Sequence, residues 1–309
     1  MTTANPIGPD GALDAYRGDR SYLGADHHRN ERRTRLVAAI CALTLAAQVA
    51  GGLVFHSMAL TAAGLHMAAH LAAMLVAAGA YAYARRHATD ERFAFGAGKL
   101  GFLAGFANAV VLAMTAVLIA AESLQRLIAP QSVDYGSAMP LAAGGLAVTL
   151  ICVWLLKPAD RRAGDINISA AHLHLTADAI VGALAMAGLW AGQKLGWTWA
   201  DPLAGLAGAF LVAQFAVSLI RTAAATLLDM NPSADLTAEI RQRLGARGET
   251  VLDLHLWRLG PGHHAAVAVV SAPHPEPATA YHDRLRDLVG LSHFTIEVRD
   301  ASGPGHTHH

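Results

Sequence analysis

The sequence predicts a membrane α-helical protein, with six transmembrane helices followed by a small cytoplasmic α+β domain, and three observations carry that prediction. The 309 residues are 54% hydrophobic yet 15% charged, with a mean hydropathy of +0.35. That is too apolar for an ordinary soluble enzyme and too charged for a chain held wholly in lipid. Six runs, roughly 36–55, 57–84, 100–121, 137–156, 168–193 and 203–220, are apolar over the length a bilayer crossing requires, about 20 residues. After Asp229 the pattern changes to short amphipathic segments that read as helix, strand, strand, helix, strand.

Residues 1–35 are polar, rich in Pro, Gly, Asp and Arg, and read as a flexible cytoplasmic arm; no signal-peptide pattern is present. The six-helix domain is expected over 36–230. Its interiors, such as "AAMLVAAGAYAYA" and "LAAGGLAVTL", are rich in Ala and Gly, which lets helices approach closely where lipid supplies no hydrophobic drive for association. Arg17, Arg20, Arg29, Arg32, Arg33 and Arg35 precede the first run, Arg85, Arg86, Arg92 and Lys99 follow the second, and Lys157, Arg161 and Arg162 follow the fourth; the opposite loops hold only Arg126 and Lys194. The positive-inside bias then puts both termini in the cytoplasm, with Trp197 and Trp199 at the outer interface of a cell (inner) membrane. "NPSADLTAEIRQRLGARG" opens the cytoplasmic domain, expected over 231–300, and "GPG" marks a turn between its first two strands. At about 70 residues that domain is near the lower limit for folding alone, which makes it a candidate for dimerisation. The tail from 301 to 309 is expected to be disordered. The formal net charge of zero gives no sign of a nucleic-acid partner. Cys41 and Cys152 fall in apolar runs, far from any CxxC spacing, and indicate neither a disulfide framework nor a thiolate metal site.

Ionisable groups within spans cost several kcal/mol unless paired or liganded. The second span holds His66 and His70; the fifth holds His172, His174 and Asp178. Spacing of i, i+4 puts His66 and His70 on one helix face, and likewise His174 and Asp178. At 1.5 Å rise per residue the first pair lies roughly 14 to 20 Å from the outer end of its span and the second roughly 9 to 15 Å from the cytoplasmic end of its own. In a hydrocarbon layer about 30 Å thick the two ranges meet near the midplane. A lone His in a membrane helix is most often a hydrogen-bonded packing residue; two pairs at matched depth, one with a carboxylate, point instead to a metal site. The His3Asp set His66, His70, His174 and Asp178 suits zinc, cobalt, nickel or copper better than magnesium, calcium or manganese. His172 falls on nearly the opposite face and reads as a non-ligand, and His56 as a solvated residue at the outer turn.

At these residues the chain resembles the cation diffusion facilitators, multi-pass metal-ion/proton antiporters, over almost its full length. "HSMALTAAGLHMAAH" is similar to that family's second-helix signature, "AAHLHLTAD" to its fifth-helix HxxxD, "WADPLAGLAGA" to the start of its sixth helix, and "DLHLWRLGPGHHAA" to its cytoplasmic domain. HxxxH on the second helix, with "FGAGKLGFLAGF" and "HLWRLGPGHHAA", resembles the DmeF-type branch that exports cobalt and nickel. The resemblance implies a homodimer, one transport site per protomer at His66, His70, His174 and Asp178, and a metallochaperone-like αββαβ cytoplasmic domain. It implies divalent metal ions (Co2+, Ni2+ or Zn2+) and protons as partners within a lipid bilayer, with the ion as cargo and no cofactor.

Several positions depart from the family pattern. Ala63 stands where an Asp is usual, "KPADRRAGDINIS" lacks the His-rich loop of many relatives, and "DERFAFGAG" offers no His for a further site. Leu252 replaces a common ligand His in the cytoplasmic domain, leaving His255, His263 and His264 as a candidate regulatory metal group. Two other functions could use a buried group of this kind. An intramembrane metal-dependent enzyme would need a HExxH sequence or a Glu beside the His pairs, and the chain has neither; a membrane metal sensor or structural protein would place its function in the cytoplasmic domain.

Overall fold

The computed structural model describes residues 27–54, 58–88, 90–129, 135–157 and 166–301, with side chains throughout except at 51–54, 58–66, 69 and 137. The remaining parts of the expected arm and tail, and His56, lie outside the described residues. Six long helices come first: α1 (His27–Val54), α2 (Met58–Arg86), α3 (Leu100–Ile128), α4 (Tyr135–Leu156), α5 (Ile166–Leu195) and α6 (Ala200–Leu227). They are followed by α7 (Ala234–Leu244), β1 (Thr250–Gly260), β2 (His263–Ala272), α8 (Ala278–Leu285) and β3 (Leu291–Asp300). Among the described residues, five of the long helices are apolar enough to cross a membrane, and α2 extends over 29 residues. At 1.5 Å per residue α2 is about 43 Å long, more than a bilayer's hydrocarbon thickness.

The chain divides into two compact units, one built from α1 to α6 and one from His87–Gly98 together with the chain after Asp229. In the helical unit, α1 begins at His27, nine residues before the apolar run begins, so residues 27–35 are helical and not part of a flexible arm. The cause is a polar stripe at helical spacing: His27, Asn30, Glu31 and Thr34 are buried. Its members bond to other helices. His27 Nε2 lies 3.1 Å from the Tyr81 carbonyl and Arg85 donates to Glu31 at 3.2 Å. Both partners are on α2, so the start of α1 is anchored to the end of that helix. Cys41 on α1 and Cys152 on α4 are almost wholly buried in one cluster with Met67, Met74 and Leu175. No sequence spacing indicated that the two cysteines would meet. Between α5 and α6, a Cβ on Gly188 would lie 2.7 Å from the Asp201 Cα, so only glycine permits this approach.

In the second unit the predicted helix, strand, strand, helix, strand order is observed. Ser233 caps α7 by accepting a hydrogen bond from the Leu236 amide at 3.1 Å. β1 pairs antiparallel with β2 through the Pro261–Gly262 turn, where Gly262 adopts φ +76°. β2 pairs parallel with β3, the crossover running through α8. Ile240, Leu244, Tyr281 and Leu285 from the helices pack on Leu256, Ala266, Ala268 and Val270 of the sheet. Arg284 joins the pieces by donating to Glu249 at 2.7 Å, to Glu276 at 2.6 Å and to the Leu244 carbonyl at 3.2 Å. The segment His87–Gly98, expected with the membrane domain, belongs to this unit, where Phe95 packs edge-on against Trp257 at 5.4 Å and His293 at 5.8 Å.

Candidate metal centre

Within the helical unit, α2 and α5 present three polar side chains to one another. His70 Nδ1 lies 3.3 Å from His174 Nε2 and 3.3 Å from Asp178 Oδ2, and His174 Nε2 lies 3.4 Å from the same oxygen. The three donors form a nearly equilateral triangle. Four-coordinate zinc-type ions have metal–ligand bonds of about 2.05 Å, for which the edge of a tetrahedron is about 3.3 Å. An octahedral site with bonds of about 2.1 Å has edges of about 3.0 Å. The observed sides match the tetrahedral value. His70 and His174 are each 3% exposed and their rings stand edge to face at 5.4 Å. Two imidazoles and a carboxylate this enclosed gain little from water, and a cation among them would replace that solvation.

Of the four residues singled out from the sequence, the structure brings together His70, His174 and Asp178, and this is a group able to hold a metal ion among the described residues. His66 lies one turn before His70 on α2; its side chain is outside the described residues. His172 is not in the group.

Sequence reasoning missed the residues that hold α2 in register. Asn167 on α5 donates to the Ala77 carbonyl at 2.9 Å, and Asn108 on α3 donates to the Ala73 carbonyl at 3.3 Å. Both asparagines are buried. Asn108 lies alone in an apolar run and Asn167 just before one, and the partner of each is a backbone carbonyl, a kind of contact that leaves no mark in a sequence. Ala77 is seven residues after His70, and Asn167 is seven before His174. The brace therefore stands about 10 Å from the donors along each helix.

The histidines of the second unit do not assemble in the same way. His255 Nε2 pairs with Asp253 at 2.8 Å, His263 Nδ1 with the Ser292 hydroxyl at 2.7 Å, and His264 Nδ1 with the Gly290 carbonyl at 3.3 Å. Successive strand residues point to opposite faces, which separates His263 from His264. Arg258 stands opposite His264 in the ladder. Burial first, and then the Arg258 charge, hold the His264 imidazole below its usual pKa. A cation beside a guanidinium would be repelled.

This fold and this group define a class: a multi-pass helical membrane protein with a buried cluster of transition-metal donor chemistry between two of its helices. Residues 34–228 match the family model of the cation efflux transmembrane domain. The chain is 31% identical to the zinc transporter ZitB of Escherichia coli (strain K12), over 94% of this chain and 96% of that one. It is 27% identical to the cadmium, cobalt and zinc/H(+)-K(+) antiporter of Bacillus subtilis (strain 168), over 89% of this chain and 92% of that one. It is 28% identical to the metal cation efflux system protein CzcD of Cupriavidus metallidurans, over 89% and 90%. The chain belongs to the cation efflux family, the cation diffusion facilitators, and is a transporter of cations, not an enzyme.

Proposed function

We propose that the protein exports cobalt, nickel and zinc from the cytoplasm in exchange for protons, binding one ion per protomer at His66, His70, His174 and Asp178. The observation that carries this reading is the donor triangle of His70, His174 and Asp178 with tetrahedral edge lengths. Zinc and cobalt take tetrahedral nitrogen and oxygen sites readily, whereas nickel favours square-planar ones, so the triangle ranks zinc and cobalt ahead of nickel. The activities named for the relatives, zinc for one and cadmium, cobalt and zinc for another, overlap with that ranking. The second imidazole of the HxxxH pair on α2 supports cobalt and nickel as cargo alongside zinc.

Exchange follows from the ligands. Free imidazole titrates near pH 6.5, so protons and metal compete for it at ambient pH, and metal binding releases protons. An ion entering from the cytoplasm displaces protons from the imidazoles, and returning protons release it on the far side. Asp178 offsets the ion's charge. Rocking of helices about the midplane site exposes it to each side in turn. The distribution of Arg and Lys supports cytoplasmic termini, and the small size of the 231–300 unit supports a homodimer.

Proteoliposomes loaded with a pH dye and a metal dye test the exchange. Zinc, cobalt or nickel added outside should enter with a matching proton efflux, and His70→Asp should shift the preference toward zinc. Metal entry with no proton movement overturns the antiport.

A further inference from the structure

The donor triangle opens onto a cavity of about 400 Å³ whose walls come from α1 to α5. His70 and Asp178 line it, and so do Gln48 of α1 and Thr149 of α4. The other described lining residues are apolar. The Thr149 hydroxyl is committed to its own helix, donating to the Gly145 carbonyl at 3.0 Å. Gln48 is different: its Oε1 is enclosed and has no hydrogen-bond partner among the described residues. An amide oxygen buried without a partner is disfavoured, and a leucine would fill the same space without that cost.

We propose that Gln48 is a way-station for the cation: its amide oxygen receives a metal-bound water as the ion moves between the His70–His174–Asp178 group and the cavity. The proposal rests on the reading of that group as the transport site. Three features converge on it. An ion leaving two imidazoles and a carboxylate must regain oxygen ligands, and six waters of about 30 Å³ each occupy roughly 180 Å³, which the cavity can hold. Those waters are strong donors when bound to a divalent ion, and the cavity needs an acceptor to receive them. Outside the donor group, the Gln48 oxygen is the enclosed acceptor among the described lining residues that has no hydrogen-bond partner of its own. A neutral amide also attracts the hydrated ion less than a carboxylate does, so the ion is not trapped before it leaves. Gln48 is thus a positioning residue for transit, not a ligand of the bound state.

The experiment compares wild type, Gln48→Leu, Gln48→Glu and His70→Ala as full-length protein, with zinc and cobalt as probes. Transport kcat and KM are measured in proteoliposomes, the dissociation constant by equilibrium dialysis in detergent, and thermal stability alongside. For Gln48→Leu the expected result is a kcat lower by about tenfold with a dissociation constant within about twofold of wild type. Its melting temperature should equal or exceed that of wild type, since an unsatisfied buried group has been removed. Gln48→Glu, which keeps an acceptor oxygen but adds a charge that holds the ion, should transport faster than Gln48→Leu and more slowly than wild type. A Gln48→Leu protein that transports at the wild-type rate overturns the proposal. So does one that loses binding and transport in parallel, which would make Gln48 a ligand, and so does one that is less stable, which would make it a packing residue. If His70→Ala binds metal as tightly as wild type, what fails is the site reading on which the proposal rests.

Discussion

Replacing Asn167 by leucine should weaken metal binding without touching a ligand. The two helices that carry the donors are joined by the Asn167 amide on the Ala77 carbonyl at 2.9 Å, about 10 Å from the His70–His174 contact along both helices. Leucine keeps the volume and removes the donor. A slip of one residue along the axis is 1.5 Å, which would lengthen the 3.3 Å separation of His70 Nδ1 and His174 Nε2 to about 3.6 Å. That is beyond the tetrahedral edge of about 3.3 Å. Hydrogen bonds between membrane helices contribute about 0.6 kcal/mol on average and up to about 1.7. If the brace acts wholly through ligand register, the dissociation constant for zinc or cobalt rises between about threefold and about twentyfold. Isothermal titration of the solubilised variant against wild type reads this directly. An unchanged dissociation constant with a lowered melting temperature would refute the reasoning, because it would mean that Asn167 holds the helices together but does not set the height of the donors.

Other consequences of the structure can be measured as directly. Gly188→Ala places a Cβ 2.7 Å from backbone at Asp201 and should destabilise the protein by about 1–3 kcal/mol, seen as a lower melting temperature in detergent; an unchanged value contradicts the close approach of α5 and α6. The burial of the free thiols of Cys41 and Cys152 in one cluster implies that an added thiol oxidant forms an intramolecular disulfide, and two thiols that both stay open to alkylation after unfolding would contradict it. In the second unit, Arg284→Met should open amides between 234 and 300 to hydrogen exchange by about 2 kcal/mol, between the values for surface and buried ion pairs. Burial raises the Glu249 pKa, but the Arg284 hydrogen bond and backbone amides outweigh it and leave Glu249 below its ordinary 4.5. The stability this lends is present above pH 4.5 and is lost as pH falls through the lower folded value, so the difference between wild type and Arg284→Met should shrink on acidification. A difference that is constant with pH would contradict that coupling.

What was legible in the sequence was what local geometry determines. His70, His174 and Asp178 stood out because ionisable groups in apolar runs are conspicuous, and i, i+4 spacing fixes a shared face whatever the helices pack against. The Ser233 cap and the Pro261–Gly262 turn are likewise written in adjacent residues. Long-range polar contacts were not legible. The polar stripe from His27 to Thr34 reads as a solvated arm until Tyr81 and Arg85 are seen beside it. Asn108, Asn167 and Gln48 each look like a tolerated polar residue, because their partners are carbonyls or a cavity. Cys41 and Cys152 lie far apart in sequence, on helices whose adjacency no spacing rule supplies. Proximity in sequence also misled: His263 and His264 are neighbours, yet the pleat of β2 sends them to different partners.

The central claim is that three donors on α2 and α5 hold a four-coordinate metal ion together with His66, and the visible absorption of bound cobalt tests it most directly. Four-coordinate cobalt absorbs far more strongly than six-coordinate cobalt. The wild-type protein should show the intense spectrum at one ion per chain and lose it in His70→Ala, His174→Ala and Asp178→Asn. A weak six-coordinate spectrum, or an intense one that survives those substitutions, would contradict the account.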